Sequence, residues 1–107
     1  RDSLNWWHWE GEPASWNRNM ETGFRREIDS IAGERFDAAF VPLDPRLEAA
    51  YGLGMDYFLQ KTSATHVFPM HMWEEYGYIS KYKETQTGRQ HAAQIVDISR
   101  RGEEFML

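Results

Sequence analysis

The chain has 107 residues, a formal net charge of −5 and no cysteine. This length fits a single domain with a modest core, and the acidic balance argues against nucleic-acid binding, which needs a basic surface. Without cysteine there is no disulfide framework, so any metal site would use histidine and carboxylate ligands. No stretch is long and apolar enough to span a membrane and no signal peptide is visible, so the sequence predicts a cytoplasmic protein.

An aromatic motif, LNWWHWEGEP, occupies residues 4–13. In an extended segment alternate side chains face opposite ways, so Trp7 and Trp9 would join the core while Trp6 and His8 face a pocket or solvent. Core packing is the plainer interpretation, and a ligand platform is the alternative. Chain ends are usually polar and frayed, so this motif so close to Arg1 predicts that residues 1–107 are a piece of a longer protein.

A helix is predicted over residues 14–32, after Pro13. Its apolar positions recur every three or four residues, the spacing of one helix face, and Gly33 is a plausible stop. They are Trp16, Met20, Phe24, Ile28 and Ile31.

Two short apolar runs predict strands that are buried on both faces, as in parallel sheets. The first is Phe36–Val41, ended by Pro42, and the second is THVFPMH at residues 65–71. Between them a helix is predicted from Asp44-Pro45 to about residue 63, although its glycines, Gly52 and Gly54, weaken it unless a close contact uses them. Together these elements make a βαβ unit with a right-handed crossover.

The remaining segments predict a short polar helix and a hairpin. The helix would lie within residues 73–88. The hairpin would pair residues 95–98 with residues 104–107 through a turn at Gly102.

Histidine is the residue type that draws attention as a metal ligand. His8, His66, His71 and His91 form no close pair of metal-ligand spacing, and no catalytic site is complete within the chain. His71 stands apart because it follows a buried strand, at the sheet edge where α/β proteins bind ligands. The alternative is a strand-end histidine bonded to a backbone carbonyl.

The motifs Leu4–Trp9, Phe40–Arg46 and His66–His71 resemble the C-terminal half of metallo-β-lactamase-fold hydrolases, and nearly the whole chain takes part. The most similar branch is the "β-lactamase superfamily domain" proteins related to ascorbate-6-phosphate lactonases. The resemblance implies an α/β fold that is half of an αββα sandwich, with a mixed sheet, flanking helices and the C-terminal hairpin. It also implies that zinc or another divalent metal is bound at the sheet edge.

The resemblance assigns metal-binding roles to His71 and Asp2, and substrate-binding roles to Asn5, Trp7 and His8. His71 matches the final metal-binding histidine of the family. The bridging aspartate should directly precede Leu4, but Ser3 stands there and Asp2 lies one position earlier. Either the register shifts, or this ligand is lost, or Arg1-Asp2-Ser3 belongs to a junction outside the family sequence. The family's H-x-H-x-D-H motif is absent from these residues.

The sequence therefore predicts the C-terminal half of a metal-dependent hydrolase of a small-molecule substrate, inactive alone because catalytic zinc needs three protein ligands. Metal binding to this chain is expected to be weak or absent. The apolar strands predict pairing with the missing half or a homo-oligomer. The alternative is a non-catalytic binding or assembly module that uses Trp6–Trp9.

Overall fold

The computed structural model describes His8 and residues 11–105. Within them the protein is mixed α/β, with helices beside a small parallel sheet. None of the described helices has the length and apolar character needed to cross a membrane. In chain order the elements are α1 (Ala14–Asp29), β1 (Arg35–Pro42), a 3₁₀ helix (Pro45–Ala50), α2 (Leu53–Lys61), β2 (Ser63–Met70), α3 (Gly77–Lys83) and α4 (Gln86–Gln90).

Helix α1 confirms the predicted amphipathic helix. Phe24 and Ile28, from the middle of the apolar face, are buried, and Ile31 packs against the core just beyond the helix. The chain then turns at Gly33, whose φ of +82° suits a residue without a side chain. Its N–H donates a hydrogen bond of 2.9 Å to the carbonyl of Lys61, which fixes α1 next to the end of α2.

The predicted βαβ unit is confirmed. Strands β1 and β2 are parallel neighbours, in a register that pairs Phe40 with Phe68 and Pro42 with Met70. Helix α2 packs against β1, and α1 packs against α2. A third chain segment joins the sheet only at Ile95, through an isolated parallel bridge to Val67. The described sheet is thus parallel, and not mixed as the sequence predicted.

The segment between the strands is two helices instead of one. Asp44 begins the first, as predicted, because its side chain accepts a hydrogen bond of 3.0 Å from the N–H of Arg46. Glu48, with a φ of 53°, interrupts helical geometry. Gly52 then precedes α2, and a methyl group there would lie 2.9 Å from the ring of Tyr82. Gly52 therefore allows a close packing contact, which is the reason that the sequence analysis gave for a glycine in this segment.

Burial on both faces of the strands was predicted and is wrong for β1. Val41 and Pro42 are buried, but Phe40 is 67% exposed. Phe40 lies outside the buried core cluster that α1 and α2 form with the strands, so it is not covered by those helices. On β2 the neighbouring Phe68 is buried because it contacts Phe105 of the C-terminal tail.

The C-terminal half departs further from prediction. The predicted helix over residues 73–88 starts only at Gly77, because Trp73 and Glu74 have positive φ angles. It divides into α3 and α4 at Thr85, whose extended backbone interrupts the helix and begins α4. The predicted hairpin is not formed among residues 95–105: Ile95 pairs with β2 and no strand follows it. A turn does occur at residues 100–102, where Gly102 has a φ of +73°. Residues 106 and 107 lie outside the described part.

A buried polar pair connects α2 to α3. The hydroxyl of Tyr82, which is 1% exposed, donates a hydrogen bond of 2.5 Å to the carboxylate of Asp56. Burial raises the pKa of Asp56, and hydrogen bonds from Tyr82 and Thr87 partly offset that rise. Burial, reinforced by Asp56, raises the pKa of Tyr82 as well. The tyrosine therefore stays neutral and acts as the donor.

Replacing Tyr82 with Phe tests this pair. The ring packing is kept, but Asp56 loses a donor in a partly buried site, so we expect a cost of about 1–3 kcal/mol in the free energy of unfolding. Urea titration followed by circular dichroism measures it. Tyr76→Phe is a matched control on a less buried tyrosine. Equal stability of Tyr82→Phe and the unsubstituted chain would show that the hydrogen bond contributes nothing.

Candidate functional site

Asp44 and Arg46 form a fixed ion pair where β1 ends. The Asp44 side chain is fully buried, and its carboxylate accepts hydrogen bonds of 3.1 Å from Nε and 2.7 Å from Nη2 of Arg46. This pairing raises the pKa of Arg46, so its charge is permanent. The other side of the guanidinium lies 5.0 Å from the centre of the Trp73 ring. The pair thus connects the end of β1 to the loop after β2.

That loop has an unusual backbone. His71, Trp73 and Glu74 have φ angles of 69°, 54° and 68°, in the left-handed region that non-glycine residues rarely adopt. Each such residue costs stability and persists only where surrounding contacts enforce it, commonly at functional sites. Three of them within four residues, directly after a parallel strand, mark this edge of the sheet as the candidate site.

The loop borders an open cleft of about 710 Å³ beside the sheet. We call it the aromatic cleft. Its sides are the end of β1, the end of β2 with the following loop, and the C-terminal tail. The residues that line it are Ala38, Phe40, Phe68, Pro69, His71, Met72, Trp73, Tyr76, Ile98, Arg100, Arg101, Gly102, Glu103 and Phe105.

Charged groups surround the mouth of the aromatic cleft. Arg100 lies 3.8 Å from Glu103, and Arg101 lies 3.8 Å from Glu74, so both ion pairs are long and both arginines are exposed. The Glu103 carboxylate also accepts hydrogen bonds from the N–H and hydroxyl of Ser99, which lower its pKa. Exposed pairs of this length contribute little stability.

The predicted site residues fall in different places. His71 lines the aromatic cleft, whereas His8 lines a small recess against the 3₁₀ helix, with Leu47 and Ala50. The two imidazoles therefore border different cavities. Asp2, Asn5 and Trp7 lie outside the described residues, so their roles stay predictions.

The other histidines have local contacts. Nδ1 of His66 lies 3.4 Å from the carbonyl oxygen of Asp37, and Nδ1 of His91 lies 2.7 Å from Oε1 of Gln94. The ring of His71 makes no hydrogen bond within residues 11–105 or with His8. Across the same residues, no group of three His, Asp or Glu side chains is placed to hold a metal ion.

Sequence reasoning missed several residues that shape this site. Arg46 ends the motif Phe40–Arg46, and Trp73 follows the motif His66–His71. Their stacking joins positions 27 residues apart, so no local sequence pattern indicates it. Arg100, Arg101 and Phe105 were assigned to a hairpin. A cluster of two arginines between apolar segments of an acidic chain was the available signal, and it was interpreted only as a turn.

No family model, curated protein or solved structure matches the chain. The family resemblance of the sequence therefore remains a prediction.

Proposed function

We propose that the chain is the C-terminal half of a metal-dependent hydrolase, in which His71 is one ligand of zinc or a similar divalent ion. The position of His71 carries this proposal. It directly follows the parallel strand β2, has a strained backbone and borders the aromatic cleft. Ligand sites of α/β proteins commonly lie at the carboxyl ends of parallel strands.

The one-sided covering of the sheet supports the sandwich part of the proposal. Helix α2 packs against β1, with α1 beyond it, while Phe40 of the same strand stays largely exposed and outside the core. In an αββα sandwich the second face of the sheet packs against the sheet of the other half. This face is also where the missing half or a second copy is expected to bind, because large apolar patches are rarely left exposed to solvent.

The donor set of the described residues fits a metal only in part. His71 offers an imidazole, a common zinc ligand, and its ring makes no hydrogen bond to another described residue. Asp2 is the proposed second ligand, and the missing half would supply the others. When bound, the ion would lower the pKa of a water molecule and polarise the scissile group.

The other proposed roles belong to the chain itself. Asn5, Trp7 and His8 would contact the substrate, and the apolar walls of the aromatic cleft would keep bulk water from it. An incomplete ligand set holds zinc weakly because its ligands are not oriented by surrounding hydrogen bonds. The isolated chain is therefore proposed to be inactive, with weak or no metal binding.

The test uses a parent protein in which an H-x-H-x-D-H motif precedes this sequence. We expect His71→Ala to lower zinc affinity by about 10-fold or more and to abolish hydrolysis of an ester, lactone or phosphodiester panel. Metal analysis and initial rates measure both effects. His66→Ala is the matched control, since His66 lies within β2, the strand that leads to His71, but does not line the cleft. Full metal content and full activity in the His71 variant would refute the proposal.

A non-catalytic binding or assembly module is the second candidate. The observation that favours it is the exposure of Phe40, Trp73 and Phe105, all of which line the aromatic cleft. In this case the gene would encode no histidine motif before Arg1, and metal would change neither ligand binding nor association.

A further inference from the structure

The large apolar side chains that remain exposed in the described chain all lie in one place. They are Phe40, Trp73 and Phe105, which are 67%, 63% and 38% exposed, and each lines the aromatic cleft. Scattered exposed apolar residues are ordinary, but a contiguous group on an otherwise polar surface marks a binding site. The three exposed side chains therefore indicate that the aromatic cleft is a binding site, and its ligand has to be identified.

The floor of the cleft is built for a flat ring. The Phe40 and Phe68 rings are nearly parallel, with centres 5.2 Å apart and planes inclined by 22°. Phe105 meets Phe68 edge to face, with centres 5.6 Å apart. A ring laid beside Phe40 would continue the stack and gain the contact preference of aromatic pairs together with apolar burial.

The shape of the cleft favours a small molecule over another protein surface. Its volume of about 710 Å³ lies within the range of ligand pockets, roughly 300–1,000 Å³. A two-fold contact between copies requires a surface that matches itself, and a concave surface meets its own copy poorly. A compact ligand fills a concave site without that restriction.

The rim supplies the polar part of the recognition. Arg100 and Arg101 line the cleft, and their only ion-pair partners among the described residues, Glu103 and Glu74, are 3.8 Å away. Glu103 is already held by Ser99. A carboxylate on a ligand would meet the planar guanidinium groups directly, with two hydrogen bonds to one arginine, which the present long pairs do not provide.

We propose that the aromatic cleft binds a small aromatic carboxylate, with its ring on Phe40 and Phe68 and its carboxylate on Arg100 and Arg101. This site requires no metal, so it can exist whether or not the hydrolase proposal holds. If both hold, the aromatic carboxylate is the substrate class, because His71 borders the same cleft. The sheet of the other half would then pack against the rest of this face of the sheet and close the open side of the cleft over the bound ligand, since pockets commonly lie between packed units.

The experiment compares three probes on the metal-free 107-residue chain by isothermal titration calorimetry. They are 2-naphthoate, the neutral 2-naphthalenemethanol, and acetate, which has the carboxylate without the ring. We expect 2-naphthoate to bind with a micromolar to low-millimolar dissociation constant, and both other probes to bind at least about 10-fold more weakly, which corresponds to one lost ring or charge contact. Added salt should weaken the binding of both carboxylates, 2-naphthoate and acetate, and should leave the binding of the neutral alcohol nearly unchanged.

Two variants locate the site. The double variant Arg100→Gln/Arg101→Gln should reduce the affinity for 2-naphthoate to that of the alcohol, and Phe40→Ala should reduce it by about 10-fold. Arg35→Gln, at the opposite end of β1, is the matched control and should bind as the unsubstituted chain does. Circular dichroism checks that each variant is folded.

Three results would overturn the proposal. They are the absence of 2-naphthoate binding, equal binding of the acid and the alcohol, and an arginine double variant that binds normally. A second copy of the chain is the competing occupant, and light scattering at the same concentrations tests for it. If the chain forms a dimer that Phe40→Ala dissociates but that 2-naphthoate does not, the cleft is the dimer interface. If 2-naphthoate does not bind, His71→Ala can still lower the metal content of the parent protein. The ligand proposal and the hydrolase proposal are therefore tested independently.

Discussion

Gly88→Ala should destabilise the fold more than any surface substitution, by about 3 kcal/mol or more, because overpacking against backbone cannot be relieved by a rotamer change. A methyl group at Gly88 would lie 1.9 Å from the carbonyl oxygen of Tyr82 and 2.9 Å from Cα of Lys83. That carbonyl also accepts hydrogen bonds of 2.9 Å and 2.6 Å from the N–H and hydroxyl of Thr85. Relief of the clash must therefore move the start of α4 and break these hydrogen bonds. The measurement is the midpoint of urea unfolding.

Gly23→Ala is the matched control for this prediction. Gly23 lies within α1 and has no atom within 4 Å of the added methyl group. Alanine should therefore raise stability by about 0.5–1 kcal/mol through helix propensity alone. If both variants shift the midpoint equally, the close approach of α4 to Tyr82 is not a constraint on the fold.

Phe24→Ala should cost about 3–5 kcal/mol, the usual range for a large ring removed from a core. Phe24 is 3% exposed and meets Tyr57 edge to face, with ring centres 6.3 Å apart. Its removal leaves a cavity between α1 and α2, which pack against each other. Thermal and urea unfolding measure the loss.

Phe40→Ala is the corresponding aromatic control, because the same atoms are removed from an exposed position. Its stability should change by less than about 0.5 kcal/mol, as for most surface substitutions. Near-normal melting of Phe24→Ala would mean that α1 does not use this face to join the core.

Local sequence patterns were sufficient to predict the helix and the strands whose apolar residues lie within one continuous segment. The helix at Ala14–Asp29 and the parallel pair of strands follow from apolar spacing that a single segment contains. Asp44 was recognisable as a helix start because capping depends on neighbouring residues. The position of His71 at the strand end followed from the same strand assignment.

The missed features depend on distant parts of the chain. The exposure of Phe40 depends on which face the helices cover, and a short apolar run contains no such information. Ile95 pairs with Val67 instead of with the tail, because a place beside β2 buries Ile95 fully. The sharp turns at Trp73 and Glu74 run against the preferences of their own residue types, and only the surrounding structure could specify them.

The wall of the aromatic cleft that the C-terminal tail forms is less stable against local unfolding than the floor that β2 forms. The floor at Phe68 belongs to a strand paired on both sides, with β1 and with Ile95. Beyond Ile95, the described tail has no strand pairing. It is held by the Lys83–Asp97 ion pair and by Ile98 against the core, and at its end by the Phe68–Phe105 contact and the long ion pair of Arg101. Such segments open at a lower free energy than the core. An occupant that needs the tail in place therefore binds only the closed fraction of molecules, and its apparent dissociation constant rises in inverse proportion to that fraction.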